Sequence, residues 1–158
     1  MNQTGGYLKI NNGTLIVKGN YNIASADGTS YSSGRLYMQN EADRVVVEGN
    51  FLMYSQYGHR SYLTAGTLEV KGNFTQRSRS RSSYGSAPNN FYTTGSHKTI
   101  LSGDGKQTVQ FENPHSSYSH FNILEITNSS TEGVDFNSTI VVTNELVAID
   151  TPIINQID

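Results

Sequence analysis

Seven tyrosines lie in polar segments of this chain and have the clearest capacity for chemistry: Tyr31, Tyr54, Tyr57, Tyr62, Tyr84, Tyr92 and Tyr118. Exposed phenol rings stack on the faces of sugar rings and their hydroxyls hydrogen-bond, so the expectation is a carbohydrate-binding or adhesive surface. The competing expectation is that the same rings pack beneath long loops and cap a core. Beside Tyr84 the run RSRSRSSYGS carries Arg77, Arg79 and Arg81. Guanidinium groups fork onto phosphate or onto the carboxylates of an acidic polysaccharide. A solvated insertion is the plainer reading, because no second basic segment joins this one and the net charge is −2. The candidate ligand-binding set is therefore Tyr54, Tyr57, Tyr62, Tyr84 and Tyr92 with Arg77, Arg79 and Arg81.

Catalytic and metal chemistry find less support. Polysaccharide lyases and hydrolases need carboxylates gathered on one face, to act as acid and base or to hold calcium. Here Asp27, Asp43, Asp104, Asp135, Asp150 and Asp158 are scattered one to a loop or terminus, the pattern of solvated turn residues. The histidines are His59, His97, His115 and His120; the closest pair offers two ligands where zinc needs three or four. No G-x-S-x-G elbow accompanies the many serines. The stretch Gly103-Asp104-Gly105-Lys106 lacks the phosphate-loop spacing and reads as a β-turn. The expectation is no catalytic residue, no metal and no cofactor.

The elements that must position these side chains are repeats. Three segments align without gaps, GTLIVKGNYN from Gly13, DRVVVEGNFL from Asp43 and GTLEVKGNFT from Gly66. A second series runs GYLKI from Gly6, GRLYM from Gly34, GTLEV from Gly66, SHKTI from Ser96 and HFNILEI from His120, at steps of roughly 24–32 residues, a solenoid-like period. Short alternating runs rich in β-branched residues, bounded by Gly and Asn, are strands. No window has helical periodicity, so the class is all-β. The expected architecture is one domain over 1–158, a parallel β-helix or solenoid of about five coils, with an antiparallel β-sandwich as the alternative. In-register stacking makes ladders: Tyr21, Phe51 and Phe74 in the core; Asn20, Asn50 and Asn73 bonding amide to amide at a bend; Lys18, Glu48 and Lys71 alternating outside. Gly19, Gly49 and Gly72 let the corner turn.

At LTAGTLEVKGNFTQ (63–76), FYTTGSHKTILSGDGKQTVQF (91–111) and FNILEITNSSTEGVDFNSTIVVTNELV (121–147) the chain resembles repeat regions of bacterial, Gram-positive-like, secreted and cell-surface proteins. That resemblance implies a right-handed β-helix and an extracellular or surface-attached context. It carries no catalytic signature. The expected function is a non-catalytic structural or adhesive module, the alternative a carbohydrate-binding module, and polysaccharide cleavage ranks last. The chain is 35% hydrophobic and 15% charged, with ten Tyr, six Phe and no Cys. This composition excludes a disulfide scaffold and gives no field for nucleic acid. No run approaches a membrane span. A start directly on repeat-like sequence and an end at NQID suggest a fragment of a longer multi-domain protein. Expected partners are polysaccharide or host and cell-surface glycans and neighbouring domains of the same chain.

Overall fold

A computed structural model describes residues 1–79, 87–150 and 152–156. The chain winds through three faces per turn, and every ladder between strands is parallel. One six-stranded face stacks β2 (Thr14–Val17), β5 (Arg44–Val47), β7 (Thr67–Val70), β9 (Lys98–Leu101), β11 (Phe121–Ile126) and β13 (Val142–Ala148). The next stacks β3 (Tyr21–Ile23), β6 (Phe51–Met53), β8 (Phe74–Gln76), β10 (Gln107–Phe111), β12 (Val134–Phe136) and β14 (Ile154–Gln156). A third, narrower face pairs β1 (Tyr7–Lys9) with β4 (Arg35–Tyr37) and continues through single bridges, Met38 to Leu63 and Leu63 to Thr93. The result is an all-β solenoid of about five turns, and the parallel ladders exclude the antiparallel sandwich.

Alternation along each strand sends every second side chain inward. The expected aromatic column is present: Tyr21 pairs with Phe51 and Phe51 with Phe74, all fully buried. Above Phe74 the column passes to Val109. The bulk is then supplied sideways by Phe91, Phe111 and Phe121, whose ring centroids lie 4.8, 5.3 and 5.0 Å from that of Phe74. At these separations aromatic pairs add about 0.5–1.5 kcal/mol each beyond area burial.

The asparagine ladder differs from the expectation. Asn20 Oδ1 accepts the backbone N–H of Asn50, Asn50 Oδ1 that of Asn73, and Asn73 Oδ1 that of Thr108, each at 2.8 Å. The side-chain oxygens thus satisfy backbone donors of the next coil at the corner, where no strand ladder reaches them. This explains the glycine that precedes each asparagine. A Cβ on Gly72 would lie 2.5 Å from Asn50 Oδ1 and 2.5 Å from the Gly49 carbonyl carbon, whereas a Cβ on Gly19, at the end of the stack, meets nothing within 4 Å. Gly72→Ala is accordingly expected to cost about 2–3 kcal/mol, as overpacking does, and Gly19→Ala to stay within about 0.5 kcal/mol. Urea unfolding of the two variants checks this, and equal losses would refute the account of the corner.

The outer charge ladder is present, with Glu48 between Lys18 at 3.8 Å and Lys71 at 3.1 Å. Two expectations need correction. GYLKI and GRLYM form the third face, whereas GTLEV, SHKTI and HFNILEI belong to the first, with GTLIV and DRVVV. The single second series therefore mixes two faces, because period-two alternation is common to both. Nor is every Asp a solvated turn residue. Asp43 is 2% exposed, and its carboxylate accepts the backbone N–H groups of Asn12 at 2.6 Å, Gln39 at 2.8 Å and Asn40 at 3.1 Å. Burial disfavours its charge, but those three donors outweigh burial and hold its pKa below the usual range. Asp135 is 4% exposed and pairs with Lys106 at 2.6 Å.

Candidate functional site

The third face gathers the tyrosines. Its outward positions run Lys9, Tyr37, Tyr62 and Tyr92, one per coil, because Lys9 pairs with Tyr37 and the Met38–Leu63–Thr93 bridges set the residues before them side by side. The Tyr37 and Tyr62 rings stack with centroids 4.2 Å apart and planes inclined by 26°. Tyr7 meets Tyr37 edge-on at 5.5 Å. The loop after β6 folds back over this face, bringing Tyr57 onto the guanidinium of Arg35, whose Cζ lies 3.7 Å from the ring centroid. The same guanidinium lies 5.0 Å from the Tyr7 ring and 6.0 Å from Tyr62, and its Nη1 donates to the Tyr7 hydroxyl at 2.6 Å.

Further along, Arg60 covers Tyr92 at 4.3 Å, donates from Nη2 to the Ser117 carbonyl at 2.8 Å, and so ties two loops together. Tyr92 packs edge-on against His120 at 4.4 Å. At the corner between the second and third faces Tyr31 meets Tyr54 edge-on at 6.3 Å; Arg77 lies over Tyr54 at 4.6 Å and Arg79 over Tyr31 at 4.7 Å.

These positions place the described loop tyrosines on the outside of the coil. The rings do not cap the interior: Tyr57 is 40% exposed and Tyr7 63%, while Tyr54, Tyr62 and Tyr92 are half-buried on the outside of the coil. Of the candidate set, Tyr57 and Tyr62 converge on Arg35, Tyr92 on Arg60, and Tyr54 on Arg77. Arg79 takes Tyr31. Tyr84 and Arg81 lie outside the described residues. Tyr118 sits apart, against His115 at 5.1 Å. Sequence reasoning missed Tyr7, Lys9, Arg35, Tyr37 and Arg60. The available signal was that GYLKI and GRLYM are not followed by the Lys/Glu-Gly-Asn corner, and so belong to a face of their own.

A histidine joins this surface to the core. His59 is fully buried; its Nδ1–H donates to the Tyr57 carbonyl at 3.0 Å and its Nε2 accepts the Leu36 N–H at 3.3 Å, a tautomer assigned from these partners. Its ring also meets Tyr62 edge-on at 5.7 Å. Burial pushes its pKa down to about 4. The imidazole is neutral at pH 7 and pins the Tyr57 loop to β4.

A concavity of about 320 Å³ runs along the outside of β3, β6 and β8, but the Oδ1 atoms of Asn20, Asn50 and Asn73 that line it are bound to the backbone. Among the described residues no three His, Asp or Glu side chains come together as a metal site would require, and no helix is long and apolar enough to cross a membrane. No family model, curated protein or solved structure matches the chain.

Proposed function

We propose that the chain is a non-catalytic structural and adhesive module of an exported bacterial surface protein, which holds extended polysaccharide against its tyrosine-bearing third face. The observation that carries this reading is the row Tyr37, Tyr62 and Tyr92, one aromatic side chain per coil, flanked by the exposed Tyr7 and Tyr57. Coils advance by about 4.8 Å, which is close to the advance per sugar ring along an extended polysaccharide. Successive rings of a glycan can therefore lie along the outer edges of successive tyrosines, whose hydroxyls are placed for hydrogen bonds, while the exposed Tyr7 and Tyr57 offer ring surface to the sugars. A solenoid suits the role mechanically, because each coil contacts its neighbours over two six-stranded sheets and sets the spacing of the side chains it displays.

The test is retention on immobilised polysaccharides and on a glycan array, comparing the intact chain with Tyr57→Ala/Tyr62→Ala and with Ile100→Ala on the first face. Retention by the intact chain, weakened at least tenfold by the tyrosine changes and untouched by Ile100→Ala, is the expected result. Absence of retention on every glycan, or retention indifferent to both tyrosines, would refute the reading.

A further inference from the structure

The described cations of this molecule divide into two groups without overlap. Lys18, Arg44, Lys71, Lys98 and Lys106 each lie within ion-pair distance of a carboxylate, from Glu48, Glu69, Glu125 or Asp135. Lys9, Arg35, Arg60, Arg77 and Arg79 each lie over a tyrosine ring, and none forms an ion pair with a described residue. A fold of net charge −2 has carboxylates to spare, yet the tyrosine-bearing surface leaves its positive charges uncompensated by them.

Arg35 is the most developed of these positions. Its guanidinium is held between Tyr57 and Tyr7, and its backbone carbonyl accepts the Gln3 side-chain amide at 3.0 Å. Its Nε is buried without a hydrogen-bond partner among the described residues. Gly6, Tyr7, Ser33, Arg35 and Tyr57 line an open pocket of about 200 Å³ at this point. That is smaller than the roughly 300–1,000 Å³ of small-molecule sites, and suits one ring of a longer chain rather than a free ligand. With Nη1 on the Tyr7 hydroxyl and Nε buried, Nη2 is the donor left to meet a carboxylate oxygen in a charge-assisted hydrogen bond.

Resting on the polysaccharide reading above, we propose that the Arg35 pocket, with Arg60 as a second point along the same face, selects acidic sugar units, taking the carboxylate of a uronic acid while Tyr7 and Tyr57 pack against its ring. The charge accounts for specificity and the tyrosines for general retention, so the two parts separate experimentally. Affinity electrophoresis in gels containing polygalacturonate, fully methyl-esterified galacturonan or dextran sulfate is run with the intact chain, Arg35→Met and Tyr57→Ala, all checked for unchanged thermal unfolding. Arg35→Met keeps an unbranched apolar side chain and removes the charge.

The expected result is retardation at least tenfold stronger in polygalacturonate than in its ester, weakened by added salt, and lowered to the ester's level by Arg35→Met. Tyr57→Ala is expected to weaken both. Equal retardation by acid and ester, with Arg35→Met without effect, would overturn the acidic-sugar assignment and leave the tyrosine reading standing. Stronger Arg35-dependent retardation by dextran sulfate would replace carboxylate by sulfate and overturn the uronate assignment. No retardation in any of the three would overturn the acidic-sugar assignment, and the polysaccharide reading falls with it only if the glycan array is blank as well.

Discussion

Phe74→Ala is expected to lower the unfolding free energy by about 3–5 kcal/mol, the range for removing a large aromatic side chain from a packed core. Phe74 is fully buried at the middle of the stack, with Phe51 below it in the ladder and Phe91, Phe111 and Phe121 around it. Few other side chains in this protein join as many coils. The loss is a large share of the 5–15 kcal/mol typical of a whole domain. Solenoid stability is close to a sum of repeat and interface contributions, so the cavity also weakens coupling between the coils on either side. Urea unfolding should therefore show a lower midpoint and a broader transition, with Phe74→Leu intermediate. A loss below about 1.5 kcal/mol would mean that Phe74 is not at the centre of a close-packed core.

The second large effect is on acid stability. His97 is fully buried with neither ring nitrogen hydrogen-bonded among the described residues, and burial pushes its pKa down to about 3; for His59 the corresponding value is about 4. Both folded values lie below the unfolded value near 6.5. Between pH 6.5 and those values the unfolded chain binds protons that the folded chain refuses, so stability rises with pH across this window. The contribution is fully present above about pH 6.5 and is lost on acidification, by about 2 kcal/mol per histidine at pH 5, or about 4 kcal/mol together. His120, lowered mainly by burial, adds in the same direction. Asp43 and Asp135, whose pKa values are held below the usual range, contribute stability that is lost only at lower pH, as they protonate. Urea midpoints at pH 7.5 and pH 5 measure the sum, and His97→Leu should remove about half of the difference. A protein equally stable at both pH values would contradict the burial of these rings. Because His59 pins the Tyr57 loop and stays neutral in the folded chain until the pH nears 4, glycan retention should persist at pH 5 and fall only as the pH approaches 4.

Much of this architecture was readable from three aligned segments. The repeat of apolar, charged, glycine, asparagine and aromatic positions fixed a parallel register that the β3, β6 and β8 ladder reproduces. Such a coincidence has a physical cause only if like residues stack. The route of the asparagine hydrogen bonds was not readable, since an amide oxygen serves an amide or a backbone N–H equally well and only the corner geometry chooses. The third face was hidden for a related reason. GYLKI and GTLEV have the same alternation, and the turn through Asn11 and Asn12, both with left-handed φ (52° and 61°), separates β1 from β2 without a glycine at those positions to mark it. With that face unrecognised, nothing in the alternation singled out Tyr37 or Arg35. The interior polar residues Gln76, Asn90, His97 and Gln107 carry no pattern by which a sequence would place them inside.

Everything proposed for the surface depends on one aromatic position per coil standing in register on the third face. The most direct test is thiol bridging in a chain that has no native cysteine. Tyr37→Cys/Tyr62→Cys places two thiols on adjacent coils at paired outward positions, and Tyr37→Cys/Tyr92→Cys places them two coils apart, about 9.6 Å by strand spacing. Dibromobimane, which becomes fluorescent when it joins two thiols, should label the first double variant rapidly under native conditions and the second hardly at all. Equal labelling of both pairs, or failure of the adjacent pair while the protein is folded, would contradict the in-register stack and the tyrosine-bearing face built on it.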